Sequence, residues 1–581
     1  MTDTQDDPQE RAEAFDRSLQ VALAKATGGI SPAAVLLAFY DWYIHFIIHP
    51  AKQTELQTLF QKNLRHLINQ FIGHLHGDPT GEYSLLPLPH DKRFTGPSWQ
   101  QFPYTFYYES FLMMENWWNV AMTDVRGVSK HHEAVVDFCM RQMMDMLSPS
   151  NSLLTNPELQ QATLKQGGKN LLRGFENLLE DTRRQIHREP PFGAEQFIVG
   201  ETVAVSPGKV VFRNNLIELI QYAPTTKTVF ENPILITPAW IMKYYILDLS
   251  PKHSLVKYLV DHGHTVFMIS WKNPKKKDRH LSMQDYLQLG IFSALDVISK
   301  VCPHPPHLVG YCLGGTLAAI AAATIARDKS YKLASLTLLA AQIDFTEPGE
   351  LALFIDESQI SFLESLMQKK GYLDTPQMAG AFQLLRSNDL IWSRLIHDYL
   401  LGDRKPLTDL MAWNADATRL PYKMHSEYLR NLFLNNELAT GKYRVNGKPI
   451  ALTDITLPLF AVATENDHVS PWRSVFKLNL LTIGDVRFVL TSGGHNVGIV
   501  SLPTKTSKRF YRVSTLKETD RYIDADTWHT QHEPVDGFWW PAFQKWLAEH
   551  SGKKINPPKM GNTKAGLPPL EDAPGQYVRE K

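Results

Sequence analysis

The chain has 581 residues, 43% of them hydrophobic and 21% charged, with lysine plus arginine equal to aspartate plus glutamate at 60 each. That composition is ordinary for a globular protein, and the length is too great for one small core. The balanced charge excludes a global field for nucleic acid or an anionic membrane surface, so any anion site has to be local.

Three cysteines, Cys139, Cys302 and Cys312, are too few and too odd in number for a disulfide framework, and none has zinc-ligand spacing. The acidic start, M-T-D-T-Q-D-D-P-Q-E, is no secretory signal. The apolar run from Ala33 to Ile48 is short for a membrane span and carries Asp41 and His45. These features predict a cytoplasmic protein with no transmembrane segment, no metal and no nucleic-acid partner.

In chain order, residues 1–28 are polar and predict disorder. Ser31-Pro32 then offers a helix cap and a first-turn proline, Pro50 opens a second helical pattern to about His76, and helical periodicity continues through an aromatic run (98–122) to Met146. Residues 29–195 therefore predict a mostly helical N-terminal domain. From about 196 to 549, short β-branched runs alternate with helical ones, which predicts a mostly parallel sheet covered by helices. Strand signals vanish between about 345 and 450, in the position of a helical cap or lid. Residues 550–581 are polar and proline-rich and predict an extension.

The chemistry gathers in the sheet domain. H-L-V-G-Y-C-L-G-G-T-L-A-A-I at 307–320 is a strand, a glycine-bracketed cysteine and an alanine-rich helix. That is the frame of a nucleophile elbow with sulfur in place of the hydroxyl oxygen. Asp467 in A-T-E-N-D-H-V-S-P-W and His495 in T-S-G-G-H-N-V-G each follow a strand, so nucleophile, acid and base come in the order of an α/β-hydrolase fold. A buried cysteine is ordinarily a small core residue, which suits Cys139 and Cys302. Asp467 alone would suit a helix cap, and His468 competes with His495 for the base; chain order favours His495.

In this arrangement His495 takes the thiol proton, Asp467 orients the ring, and the N-terminus of the following helix favours the thiolate. The backbone N–H of Leu313 is the first oxyanion donor. The second comes from Pro238-Ala239-Trp240-Ile241, with Trp240 the candidate; the sequence leaves open which amide of that loop donates. Sulfur has a rationale here. An acyl group moved from one thioester to another keeps its reactivity toward an alcohol, whereas transfer to serine would dissipate it. An ester-forming acyltransferase gains from this and a hydrolase does not, and a closable cap would exclude water.

These segments resemble the polyhydroxyalkanoate synthases, or poly(3-hydroxyalkanoate) polymerases. G-Y-C-L-G-G resembles the G-x-C-x-G-G box of that family, and P-A-W-I-M-K-Y-Y-I-L-D-L-S-P at 238 its P-P-x-I-N-K-x-Y-I-L-D-L segment, with departures at Ala239 and Met242. G-H-T-V-F-M-I-S-W-K-N-P at 263, N-D-L-I-W at 388, A-W-N-A-D-A-T-R-L-P at 412 and G-F-W-W-P at 537 extend the likeness from about 95 to 550. The resemblance implies an acylated Cys312, His495 as base and Asp467 as its partner. It implies (R)-3-hydroxyacyl-CoA as substrate, with 3-hydroxybutyryl-CoA suggested by Tyr311, and CoA belonging to the substrate, with no separate cofactor. It also implies a homodimer on polymer granules with granule-associated proteins. Lys272, Lys275, Lys276 and Arg279 concentrate positive charge that would meet CoA phosphates, against the plainer reading of a solvated loop. The rival functions are a thioesterase or intracellular polyester depolymerase, and a non-catalytic granule-binding protein.

Overall fold

The computed structural model describes residues 8–76, 91–385, 387–502 and 508–581. Contacts divide the chain into a sheet unit (residues up to Ala22, Gly193–Thr375 and Leu407–Lys581) and a helical unit (Leu23–Phe192 and Pro376–Pro406).

The sheet unit is built on eleven strands. In chain order they are β1 (Gly208–Arg213), β2 (Ile217–Tyr222), β3 (Ile234–Thr237), β4 (Val266–Trp271), β5 (His307–Tyr311), β6 (Ser335–Leu339), β7 (Leu459–Thr464), β8 (Val486–Thr491), β9 (Phe510–Leu516), β10 (Val535–Asp536) and β11 (Glu571–Asp572). Across the sheet the order is β10-β9-β8-β7-β6-β5-β3-β4-β2-β1-β11. The run β4-β3-β5-β6-β7-β8 is parallel, and antiparallel strands close both edges. Every residue of β2 through β7 is buried. This is why those segments read as near-continuous Val/Ile/Leu runs: helices cover both faces of a parallel sheet. The register aligns Gly310 with Leu338 and Thr464 with Thr491, so the C-terminal ends of β5 to β8 share one rim.

The helical unit follows its periodicity. Ser31 caps Pro32–Ile47 by accepting from the Ala34 N–H, Pro50–Leu75 comes next, and Tyr104–Met122 and Lys130–Leu147 follow. Trp42 Nε1 donates to the Ala121 carbonyl at 3.0 Å. Helix Lys169–His187 receives the 388–400 segment: Asn170 Nδ2 donates to the Leu400 carbonyl and Asn177 Nδ2 to the Asp398 carbonyl, both at 2.8 Å. Gly174 has to be glycine, because a Cβ there would lie 1.8 Å from the Tyr399 carbonyl oxygen.

Three domain expectations need correction. Residues 8–26, expected to be disordered, form the helix Pro8–Ala26, with Val21 and Ala24 buried; residues 1–7 of that stretch lie outside the described residues. The helical insertion between β6 and β7 exists, but it is not one body. Pro376–Pro406 belongs to the helical unit, and two minimal strand pairs, 372–373 with 420–421 and 444–445 with 448–449, interrupt the rest. The 550–581 tail is integrated rather than loose. Lys554–Ile555 pairs with Val229–Phe230, β11 edges the main sheet, and the buried Lys243 donates through Nζ to the Glu580 carbonyl at 2.6 Å.

Candidate active site

Strand β5 delivers Cys312 into a turn with φ 51° and ψ −123°, a conformation costing about 1–3 kcal/mol for a non-glycine residue. The surroundings enforce it. The Cys312 N–H donates to the Leu339 carbonyl at 2.9 Å, and the Cys312 carbonyl accepts from Gly315 at 2.9 Å. The flanking glycines make the turn sterically feasible: a Cβ on Gly310 would lie 2.4 Å from the Gly315 Cα, and one on Gly314 2.1 Å from the Thr237 carbonyl oxygen. The sulfur therefore sits at the head of helix Leu313–Asp328, whose first N–H groups have no intrahelical acceptor and carry the positive end of the helix dipole.

Asp467 follows β7 and is held on all sides. Its Oδ1 accepts from the backbone of Val469 (2.9 Å) and Ser470 (2.8 Å), and its Oδ2 from Thr464 Oγ1 (3.0 Å). His495 follows β8 on a turn opened by Gly493 at φ 105°, and its Nδ1 lies 2.8 Å from Asp467 Oδ2. With Nδ1 donating to the carboxylate, the other ring nitrogen is left for the Cys312 sulfur, which lies close enough for a charge on it to raise the imidazole. Burial by itself pushes the imidazole down, but the negative charges of Asp467 and of a Cys312 thiolate, with their hydrogen bonds, outweigh it and hold it well above its ordinary value. Burial likewise raises Asp467, and His495 with the two backbone donors reverses that, leaving the carboxyl below its usual range. Cys312, Asp467 and His495 are thus brought together. His468, next to Asp467 in the chain, accepts at its backbone carbonyl from the Glu350 N–H at 3.0 Å.

The 238–241 loop lies against the elbow, with Pro238 packed on Gly314. Its course is fixed from two sides. Trp271 Nε1 donates to the Pro238 carbonyl at 2.9 Å, Thr418 donates to the carbonyls of Trp240 (through Oγ1) and Ile241 (through its N–H, 3.1 Å), and Trp413 Nε1 donates to the Lys243 carbonyl at 2.8 Å. Trp413, from the A-W-N-A-D-A-T-R-L-P segment, therefore anchors the chain just beyond this loop. The Trp240 ring is buried against Tyr286 and Tyr428 at centroid distances of 5.5 and 6.1 Å.

Comparison with known proteins adds to this geometry. Residues 90–259 match a family described as "Poly-beta-hydroxybutyrate polymerase (PhaC) N-terminus", residues 10–52 one described as "Poly-beta-hydroxybutyrate polymerase N terminal", and residues 232–501 the "alpha/beta hydrolase fold". The poly(3-hydroxyalkanoate) polymerase of Methylorubrum extorquens is 40% identical over 92% of this chain and 87% of its own length. The poly(3-hydroxyalkanoate) polymerase subunit PhaC of Rhizobium etli is 38% identical over 92% and 85%, and that of Cupriavidus necator 34% identical over 92% and 89%. The chain belongs to the poly(3-hydroxyalkanoate) polymerase family. It is accordingly an enzyme, a transferase on an α/β-hydrolase fold.

Several residues of this polymerase frame the site without having announced themselves in the sequence. Trp539 and Trp540, from the G-F-W-W-P segment, donate through Nε1 to the carbonyls of Gly498 (3.1 Å) and Ile499 (3.0 Å), just beyond His495. Tyr311 donates its phenolic O–H to Asn496 Oδ1. Tyr428, from the insertion, is buried close enough to Cys312 for a charge on the sulfur to raise its phenol, after burial as the larger cause. Of these, the G-F-W-W-P tryptophans and Tyr311 had been marked only through the family resemblance, Tyr311 for substrate class rather than for this contact, and Tyr428 had not been marked at all. The basic group after β4 is mostly engaged. Lys272 pairs with Asp278 at 3.3 Å, Lys275 lies 3.9 Å from a Glu580 carboxylate oxygen, and Arg279 donates to the Gln368 carbonyl; the backbone of Lys276 packs on Gly371. Among the described residues no helix is long and apolar enough to cross a membrane.

Proposed function

We propose that this enzyme polymerises (R)-3-hydroxyacyl-CoA, 3-hydroxybutyryl-CoA first among them, into polyester through an acyl thioester on Cys312. The observation that carries the reading is the strained Cys312 elbow with an Asp467-bound His495 beside it. The names of the relatives support the product class.

His495 takes the Cys312 proton, and the thiolate attacks the thioester carbonyl. The oxyanion is held by the Leu313 N–H and an amide of the 238–241 loop, with Trp240 the candidate. Collapse breaks the carbon–sulfur bond to CoA, whose thiolate takes the proton back from the imidazolium. The acyl group now sits on Cys312 at nearly unchanged free energy. The 3-hydroxyl of another acyl chain then gives its proton to His495 and attacks that carbonyl. An ester bond forms, Cys312 leaves as thiolate, and the chain is one unit longer. Asp467 keeps Nδ1 protonated throughout and stabilises the imidazolium at each proton transfer. CoA enters as part of the substrate. Its phosphates would meet Lys275 and Lys276, which lie in the exposed 275–277 stretch of the loop. Granule association and a homodimeric state belong to the same reading and are measured by co-sedimentation with polymer and by light scattering.

The test feeds (R)-3-hydroxybutyryl-CoA to the purified enzyme, following CoA release with a thiol reagent and weighing the insoluble product. Polymer is expected; free 3-hydroxybutyrate would mean a hydrolase, and no CoA release a binding protein. Cys312→Ala should abolish turnover. Cys312→Ser should be severely impaired, because an oxyester is a poorer acyl donor. Wild-type rates in the serine variant would remove the argument for sulfur.

A further inference from the structure

We propose that Tyr311 is a positioning residue: its bond to Asn496 ties the turn that carries the base to the strand that carries the nucleophile. This rests on the roles proposed for Cys312 and His495.

The problem it solves is mechanical. A proton-transfer pair has to be held within about 0.5 Å of its working geometry. Cys312 is fixed by β5 and by the helix behind it. His495 is less constrained, since it rides on a Gly493-Gly494 turn whose first glycine has φ 105°. Asp467 fixes one ring nitrogen, leaving the imidazole able to swing about that bond with its loop. Trp539 and Trp540 hold the chain at Gly498 and Ile499, on the far side of His495 from the glycines.

Tyr311 acts between these anchors. It is the residue immediately before Cys312, and its ring is fully buried, 5.7 Å from the imidazole centroid. Its Oη lies 2.5 Å from Oδ1 of Asn496, the residue immediately after His495. One rigid strand end therefore sets the position of the sulfur and, through Asn496 185 residues away in sequence, that of the neighbouring base. The groups facing His495 are Asp467, Cys312 and the Tyr311 ring. Burial, then the negative charges of Cys312 and Asp467, keep the phenol well above its ordinary value. It stays protonated and donates its O–H to Asn496, so it takes no part in the proton transfers.

The experiment measures steady-state turnover, melting temperature and the pH profile of Cys312 alkylation by iodoacetamide. It compares the wild type with Tyr311→Phe, Asn496→Ala, the double variant and His495→Gln. Losing one buried hydrogen bond predicts a fall in kcat of about fivefold in each single variant, with KM for the acyl-CoA within about twofold. The double variant should be no worse than the poorer single, because both remove the same bond. The alkylation profile should lose amplitude at neutral pH in all three. Unchanged kcat and alkylation in Tyr311→Phe would overturn the proposal. So would a lowered melting temperature with an unaltered alkylation profile, which is the signature of packing alone. If His495→Gln also leaves alkylation unaltered, the assignment of the base fails, a result separable from failure of the Tyr311 bond.

Discussion

The two ends of the parallel strands both carry histidines, half-buried His495 at one and fully buried His264 and His307 at the other, and they treat them in opposite ways. At the C-terminal rim His495 meets the Asp467 carboxylate at 2.8 Å, and its affinity for a proton rises despite burial. At the N-terminal rim His307, the first residue of β5, has only hydroxyls to bond, Ser335 Oγ at 2.7 Å and Ser551 Oγ at 2.9 Å. Burial, then His264 and His550, push it down to about 3. His264 is stacked on Phe230 with both ring nitrogens unpartnered; burial, then His262 and Lys554, bring it to about 4. The same side chain in the same sheet is a proton acceptor at one end and an inert, neutral ring at the other. A buried charge partner makes the difference.

The sharpest way to break this contrast is Asp467→Asn. It leaves the shape and removes the charge, so burial then dominates at His495 as it does at His264. The expected fall in turnover is on the order of 10³–10⁴-fold, measured as CoA release. A loss of under tenfold would mean that the carboxylate is not what sets the ring.

Stability against pH reads the other rim. For His264 and His307 the folded value lies below the unfolded value of about 6.5. Above pH 6.5 both states are neutral and nothing is lost. Below it the unfolded chain binds protons that the fold refuses, so stability falls progressively toward pH 3–4, by about 3 kcal/mol or more for each ring. His307→Gln should flatten part of that acid limb in urea titrations between pH 7 and 4.5. His495 has the opposite sign. Its folded value is raised, so its contribution is full below pH 6.5 and fades as pH climbs through the folded value. His495→Gln should therefore leave the acid limb unflattened; if it flattens the limb as His307→Gln does, the contrast between the rims is wrong.

The two rims also differ in how much of them could be read in advance. The elbow was legible because its determinants are local: a strand, three glycines and a helix within ten residues. Asp467 and His495 each follow a strand run with turn residues, so chain order placed them. The Tyr311–Asn496 bond was not legible, because nothing near either residue records a partner so distant. Nor was the allocation of Pro376–Pro406 to the helical unit, which depends on contacts such as Asn170 with the Leu400 carbonyl. Helix Pro8–Ala26 was hidden by a polar composition, although Pro8 stands in its first turn and Lys25 in its last. The tail misled because two-residue strands carry no periodicity.

That tail supplies the next effect in size. Glu218 on β2 is fully buried and accepts from the Gln576 and Tyr577 N–H groups, while Arg213 pairs with it from β1. Ending the chain at Leu570 removes both backbone donors and the carbonyl that holds Lys243. It leaves a buried carboxylate and a buried ammonium short of partners, at about 1–3 kcal/mol each. The melting temperature should fall by several degrees. Turnover should fall further than stability explains, because Lys243 stands two residues beyond the 238–241 loop; normal turnover in the surviving folded fraction would separate the tail from the site.

The smallest effect expected is at Trp539. Replacing it with phenylalanine keeps an aromatic ring against Phe460 and Phe543 and deletes one N–H donor. The Gly498 carbonyl then loses a buried partner, which costs about 1 kcal/mol. Gly498 itself cannot give way in the direction of β7, since its Cα is packed so closely that a Cβ would lie 2.5 Å from the Thr464 side chain. The released slack runs instead back along the turn toward His495. Turnover should fall about twofold to threefold with KM unchanged, and the loss should be less than additive with that of Tyr311→Phe, because the two side chains grip one short turn at Gly498 and Asn496 and act through the same backbone shift. Full additivity would instead make the two grips independent.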